Sequence, residues 1–308
     1  MTWFTISLLA SFCWSITNHT DKYILQKYFK SSGLGGYATF SIAIGLIILL
    51  GIFIARPMAP FVTGYAAAVL LMLSGLSLTG GVLLYAFALS REDASTIVPF
   101  FQLIPLFAYA IEYLFLGVQF TQPQIIGSAI ILIAAILISL DLSKKWPRIK
   151  FKIFATMSAS SLLFTLNHIF FKIGSNHPSA TPDYWNNSFW QYVGTLLVGV
   201  FFFVFIKKYR EQFIHILRAN GKKILALNAG NELFNESGNR LAQYAVLLVP
   251  VSLVQIVNGF QSVFVFVIGI ILTIFFPHLA QENISPKNIA HKSLAIALMI
   301  VGAFIMTQ

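Results

Sequence analysis

Asn228-Ala229-Gly230-Asn231-Glu232-Leu233-Phe234-Asn235-Glu236-Ser237-Gly238-Asn239-Arg240 interrupts lipid-soluble sequence with two glutamates, an arginine and four asparagines. At about 100° per residue of helix, Asn228, Glu232, Asn235 and Asn239 fall in one narrow stripe with Glu236 and Gln243 beside it. Leu233, Phe234, Ser237 and Leu241 take the other side. Read as a hydrated loop, the stretch would leave 241–276 as one apolar run far longer than a bilayer requires. A break at Pro250 resolves this, and 241–249 becomes the second half of a helix that begins near Ile224. Charged side chains cost about 3 kcal/mol each at the centre of a membrane helix, so they face a cavity or one another. The stripe therefore reads as the lining of a polar pathway.

Composition frames that reading. Of 308 residues, 57% are hydrophobic and only 10% charged, which is too apolar for a soluble domain and fits a polytopic membrane bundle. The excess of 20 Lys+Arg over 10 Asp+Glu punctuates apolar runs instead of clustering, so the lipid bilayer is the expected partner and nucleic acid is not. The single cysteine, Cys13, excludes an internal disulfide and lacks zinc-ligand company. No metal and no cofactor is expected. Met1-Thr2-Trp3-Phe4 has no cationic region and reads as the start of a retained first helix. No soluble domain is expected on either side of the bundle.

Apolar runs of spanning length occur near 3–20, 35–54, 65–88, 95–117, 124–140, 151–173, 188–206, 224–247, 251–276 and 289–307. The separators carry turn and breaker residues: Ser31-Ser32-Gly33, Arg56-Pro57, Glu92-Asp93, Thr121-Gln122-Pro123, Trp146-Pro147, His177-Pro178 and Pro277. The expected fold is thus all-α, with ten transmembrane helices. Odd-numbered connections hold Lys22, Lys27 and Lys30, then Arg91, five cations within 144–152, six within 207–223, and Lys287 with Lys292. The even side has Arg56, Lys172 and Arg240, the last inside a helix. The positive-inside rule puts the odd connections in the cytoplasm and both termini outside.

The chain also repeats. Thr17-Asn18-His19 at the end of the first helix is echoed by Leu166-Asn167-His168 in the sixth, about half the chain away. Ala94-Ser95 after the third helix falls opposite Val251-Ser252 after the eighth. Two five-helix halves, 1–143 and 144–308, follow; an odd number of spans in each inverts one half relative to the other.

Trp14-Ser15 with Lys22, then Tyr85, Ala88-Leu89, Ala94-Ser95, Pro105, Phe115-Leu116-Gly117 and 124–132 form a further pattern. It resembles the EamA-type branch of the drug/metabolite transporter superfamily, well over the first half and by general plan over the second. The chain departs from that pattern at Val118-Gln119, where the family usually has Glu, and in its polar eighth helix. The resemblance implies ten helices around a central cavity and export of amino acids or other small metabolites. Family termini are usually drawn in the cytoplasm, whereas the charges here put them outside.

Glu232 lies roughly 13 Å inside the cytoplasmic edge, close to the middle of a hydrocarbon core about 30 Å thick. It has no Lys or Arg four residues away, and its charge state should depend on whether water or substrate fills the cavity. Permanent protonation with hydrogen bonds to asparagine is the structural alternative. Glu236 and Arg240 have the spacing of a helical ion pair. With Asn228, Asn231, Asn235 and Asn239 they form the candidate site. Gln255, Asn258 and Gln261 on the ninth helix and Gln102 on the fourth extend the wall, each equally suited to interhelical bonding. Glu112 is an alternative partner for Arg240. Asn18, His19, Asn167 and His168 are gate candidates, and Trp14 a ligand contact; Thr79-Gly80-Gly81 reads as close helix packing.

The expected function is proton-coupled secondary transport of a small polar metabolite, such as an amino acid or amine, by alternating access. The expected protein is a monomer or homodimer in the inner (plasma) membrane. The alternatives are an intramembrane acid/base enzyme using Glu232 and His168, disfavoured because no nucleophile or metal constellation accompanies them, and a lipid-linked sugar flippase.

The orientation is testable in intact cells. With Cys13 replaced by Ser, cysteines introduced at 146 and 212 should resist a membrane-impermeant maleimide. Labelling of either position from outside overturns the assigned topology.

Overall fold

A computed structural model describes residues 2–28, 34–89, 91, 98–139, 151–276 and 285–308. The expectations on Ser31-Ser32-Gly33, Glu92-Asp93, Ala94-Ser95, Trp146-Pro147 and Pro277 lie outside the described residues, as do most of the cations within 144–152. In chain order the elements begin with α1 (Trp3–Tyr28), α2 (Leu34–Ala55), α3 (Ala59–Val62) and α4 (Tyr65–Leu89). A 3-10 turn (Val98–Gln102) runs into α5 (Leu103–Leu116), followed by α6 (Gln122–Ser139), α7 (Phe151–Ser175) and α8 (Tyr184–Phe205). α9 (Lys207–Leu248), α10 (Val251–Asn258), α11 (Gln261–Phe275) and α12 (Pro286–Met306) complete the chain. Among the described residues there is no strand.

Among the described residues, five helical segments are long and apolar enough to cross a membrane: Tyr65–Ala88, Phe151–Ser175, Tyr184–Phe205, Val251–Phe275 and Pro286–Met306. Phe100–Leu116 and Gln122–Ile138 are apolar but shorter, and Gly45–Ala55 is the apolar second half of α2 (Leu34–Ala55). The fold is all-helical and membrane-suited, yet its helix list does not by itself return ten spans. Phe100–Leu116 and Gln122–Ile138 are left out by length, whereas α1 and α9 exceed spanning length but are too polar along it.

Three boundaries differ from the sequence expectation. α9 starts at Lys207, not near Ile224, and its 42 residues extend roughly 63 Å at 1.5 Å per residue. That is about twice the hydrocarbon thickness, so its basic beginning lies outside the core of the bilayer. Between 207 and 223 only Gly221 disfavours helix, and straight-chain Lys, Arg, Gln and Leu support it. The run 251–276 is divided at Gly259-Phe260 into α10 and α11. In the fourth span the α-helix starts only after the 3-10 turn at Val98–Gln102. The break at Pro250 is present: Val249 is extended, and α10 starts directly after the proline.

Glycines bring backbones together at two crossings. A Cβ on Gly75 of α4 would stand 2.0 Å from the Gln191 carbonyl of α8, and one on Gly194 would stand 2.1 Å from the Met72 carbonyl. Gly127 of α6 and Gly302 of α12 face each other, with Cβ positions 2.5 and 2.9 Å from the opposing carbonyl oxygens. Gly80 and Gly81, the small residues singled out in the sequence, meet the side chains of Leu163 and Phe164 of α7 instead. Small residues permit this dispersion-driven approach, which matters where lipid supplies no hydrophobic drive between helices. Further neighbours are α1 with α9, α2 with α8 and α9, and α5 with α10.

The outer wall is apolar, with Ile54, Phe115, Phe205, Leu233, Ile300 and Phe304 among its exposed side chains. A soluble monomer rarely shows so extensive an apolar surface. Inside, Ile131, Ala134, Leu253, Ile256, Met299 and Ala303 form one core, and Ile6, Ala108, Ile169, Ala245, Val246 and Val254 another. The polar residues lie between these packed layers.

Gly75→Leu should destabilise the detergent-purified protein by about 3 kcal/mol or more, because its side chain meets backbone that cannot yield. Gly230→Ala is the control: its Cβ meets nothing within 4 Å, so the change should be neutral or stabilising by up to about 1 kcal/mol. Thermal unfolding of both variants checks the crossing.

Candidate functional site

α9 presents its stripe inward and Leu233 and Phe234 outward, as the amphipathic pattern requires; Asn228 is fully buried and Glu232 only 2% exposed. Toward the N-terminal end of the stripe, the Asn231 side-chain amide donates to Asp21 Oδ1 of α1 at 2.6 Å. Asn235 Nδ2 donates to Glu232 Oε2 at 3.1 Å. Glu232 and Asp21 are thus buried carboxylates on adjoining helices.

One turn farther along α9, Glu236 accepts from Tyr192 Oη of α8 at 2.5 Å and from Asn239 Nδ2 at 3.2 Å. Asn239 Oδ1 in turn accepts from Trp14 Nε1 of α1 at 3.1 Å. Gly238 admits the indole: a Cβ there would stand 2.8 Å from Trp14 Nε1. Glu236 Oε2 lies 3.8 Å from Arg240 Nε, the spacing anticipated from sequence. The guanidinium has additional neighbours. It donates to Ser188 Oγ at 3.1 Å and Gln191 Oε1 at 2.8 Å, and lies over the Tyr192 ring at 4.8 Å.

Gln191 passes the network inward. Its Nε2 donates to Asn167 Oδ1 of α7 at 2.8 Å and Ser74 Oγ of α4 at 2.9 Å. Gln243 Nε2 of α9 donates to the same Asn167 oxygen at 3.1 Å. Asn167 therefore joins α4, α7, α8 and α9. His168 beside it is buried, its Nδ1 without a hydrogen-bond partner.

A separate assembly fills the break at Pro250. Glu112 of α5 accepts from the backbone N–H groups of Val251 and Ser252 at 2.6 and 2.9 Å, and from Ser252 Oγ at 2.5 Å. Lys172 of α7 lies 3.8 Å from Glu112 and donates to the Val249 carbonyl at 2.7 Å. A carboxylate at the start of one helix and an ammonium at the end of another complement both helix dipoles. The alternative pairing of Glu112 with Arg240 is corrected: the orphan amides created by Pro250 claim the carboxylate.

The remaining candidates are more dispersed. Asn258 accepts from Ser11 Oγ at 3.3 Å and donates to Gln255 Oε1 at 3.2 Å. Gln102 is buried beside Gly259. The His19 ring meets the Val265 carbonyl at 2.9 Å, and Asn18 is half-buried on α1. Gln261 starts α11. Sequence reasoning missed Ser74, Ser188, Gln191 and Tyr192, and gave Asp21 no site role. Their only signal was a polar group in a buried helix.

Among the described residues no three His, Cys, Asp or Glu side chains gather as a metal site. Residues 1–140 match the family model of EamA-like transporters. A solved crystal structure of a protein covers 99% of this chain and 98% of its own, with a TM-score of 0.61 at 12% identity, and shares the fold. No curated protein matches the sequence.

Gln191→Leu should destabilise the protein by about 3 kcal/mol, because it strips an acceptor from Arg240 and a donor from Asn167 inside a low-dielectric bundle. Leu233→Ala on the lipid face should be much milder. Thermal unfolding of purified variants measures the difference.

Proposed function

We propose that this chain, an EamA-like transporter sequence over residues 1–140 consistent with the drug/metabolite transporter superfamily, is a secondary transporter of a small polar metabolite such as an amino acid or amine. It works by alternating access between two inverted halves, 1–143 and 144–308, in the inner (plasma) membrane, as a monomer or homodimer, with protons as the coupling species. The observation that carries this reading is the buried ionisable face of α9, with Glu232 and Asp21 held between apolar helices. Such groups are expensive in lipid and mark pathways for polar solutes or ions.

Helix neighbours support the inverted plan. If α1 corresponds to α7, α2 to α8 and α4 to α9, the contact of α1 with α9 has its counterpart in α7 with α4. That of α2 with α9 has its counterpart in α8 with α4. With α5 matched to α10–α11 and α6 to α12, the α2–α8, α5–α10 and α6–α12 contacts map onto themselves. An inverted repeat produces this pairing of contacts and self-paired seams.

The enzyme alternative has less support. Glu232 accepts from Asn235 on its own helix, whereas His168 follows Asn167, which accepts from Gln243. Positions 232 and 243 are roughly 16 Å apart along the helix. An acid and base acting on one bond must both reach it, which that separation opposes.

Transport is tested in proteoliposomes by counterflow of labelled amino acids and amines, followed by accumulation driven by a pH gradient. Glu232→Gln keeps the shape and fixes an uncharged side chain; it should abolish accumulation, preserve the fold and spare some counterflow. Accumulation by Glu232→Gln at the parent rate and with the parent pH dependence overturns the coupling role.

A further inference from the structure

A chain of polar contacts runs from α1 to α4 by way of α9, α8 and α7, and it has one loose joint. On the first side Trp14 Nε1 donates to Asn239 Oδ1 at 3.1 Å, Asn239 Nδ2 to Glu236 Oε1 at 3.2 Å, and Tyr192 Oη to Glu236 Oε2 at 2.5 Å. On the other side Arg240 donates to Ser188 at 3.1 Å and Gln191 at 2.8 Å, and Gln191 donates to Asn167 at 2.8 Å and Ser74 at 2.9 Å. Between the two stands Glu236 Oε2, 3.8 Å from Arg240 Nε, an ion pair too long to be a hydrogen bond. Arg240 Nε has no hydrogen-bond partner. The Tyr192 ring, 4.8 Å from the guanidinium carbon, lies against the same joint.

The joint is also the part of the network with accessible surface. Ser188, Gln191, Asn167 and Gln243 are at most 2% exposed, whereas the side chains of Glu236 and Arg240 keep 18% and 13%. Charges that showed this surface to hydrocarbon would be expensive, so the open side of the pair meets water or a polar solute. A carboxylate accepts about four hydrogen bonds, and Glu236 accepts two. It can take a further donor, as the Nε–H of Arg240 can take an acceptor. The pair sums to zero charge. A solute with one net charge would carry it into the bundle uncompensated, whereas an ammonium placed on Glu236 and a carboxylate on Arg240 leave the site neutral and make charge-assisted bonds at both ends. The short separation of the pair suits a solute whose two charges are only a few bonds apart.

We propose that Glu236 and Arg240 recognise a compact zwitterion, its ammonium on Glu236 and its carboxylate on the Nε–H of Arg240. The solute's passage across the membrane rests on the transport reading; its binding does not. Simple amines, which that reading allows, are excluded here because they lack the group that Arg240 selects. Tyr192 and Trp14 are positioning residues. Tyr192 touches both charged groups through its hydroxyl and its ring, and Trp14 holds Asn239, which in turn holds Glu236.

The test is ligand-induced thermal stabilisation of the full-length purified protein at fixed pH and ionic strength. The probes are alanine, leucine and phenylalanine, each beside the amine and the carboxylic acid that remain when one charged group is removed, and beside its amide. At least one amino acid should raise Tm saturably, and its matched amine, acid and amide should bind at least about tenfold more weakly. Glu236→Gln is the deciding variant. With the guanidinium alone in the site it should bind the matched acid more tightly than the amino acid, a reversal that a purely structural Glu236 would not produce. Should that variant not fold, Glu236→Gln combined with Arg240→Met removes both charges together and should bind neither ligand. The proposal is overturned by stabilisation with none of the three amino acids, by equal affinity for amino acid and amine, by an unchanged order of preference in Glu236→Gln, or by binding retained in the double variant. Amino-acid binding without counterflow in proteoliposomes rejects the transport reading alone. Counterflow of an amine as fast as that of its matched amino acid rejects this site alone.

Discussion

Arg240 has to be neutralised inside an apolar bundle, and the way this is done determines how four helices meet. A guanidinium cannot shed its charge at any accessible pH, so the protein surrounds it with Glu236, Gln191, Ser188 and the face of Tyr192. Gln191 then needs its own donors placed, and Asn167 and Ser74 receive them. Each polar group added to satisfy the previous one creates a further demand. The chain of demands ends only when α4, α7, α8 and α9 are all engaged. The close crossing at Gly75 and Gly194 belongs to the same solution, because it brings α8 near enough for Gln191 to reach across.

The two ends of the α9 stripe are consequently unlike. Toward Gln243 the amides are bonded across helices into a connected network, though Gln243 Oε1 and His168 Nδ1 remain without partners. Toward Asn228 the stripe reaches α1 through Asn231 and Asp21, and both polar atoms of Asn228 and Asn231 Oδ1 lack hydrogen-bond partners. In a fully connected polar network, opening requires several bonds to break together; a sparse one opens in smaller steps.

Much of this was legible in the sequence, for identifiable reasons. The stripe from Asn228 to Arg240 combined helical periodicity with residues too costly for lipid, and Pro250 marked the end of its helix. The Glu236–Arg240 spacing is local, so it could be read directly. Ser74 was not found because its partners lie on other helices, and Gln191 because its helical spacing from Asn187 and Ser188 was given no weight in an otherwise apolar span. The alternative of Glu112 beside Arg240 arose because sequence gives charges, whereas the orphan amides at Val251 and Ser252 arise only once the chain has folded. The helical extension from Lys207 was missed because a basic, polar stretch between spans resembles a connection until its lack of breakers is given weight.

The joint at Pro250 also has an electrical consequence. Glu112 and Lys172 sit together, one capping the helix that begins there and the other closing the helix that ends. Opposite charges that travel together carry no net charge across a membrane. Displacing one elementary charge through a potential of 100 mV involves about 2.3 kcal/mol, whereas displacing a neutral pair involves almost none. A bend at this point is therefore free of voltage, and the pace of any motion about it is set by packing and by its hydrogen bonds, whatever the state of energisation of the cell.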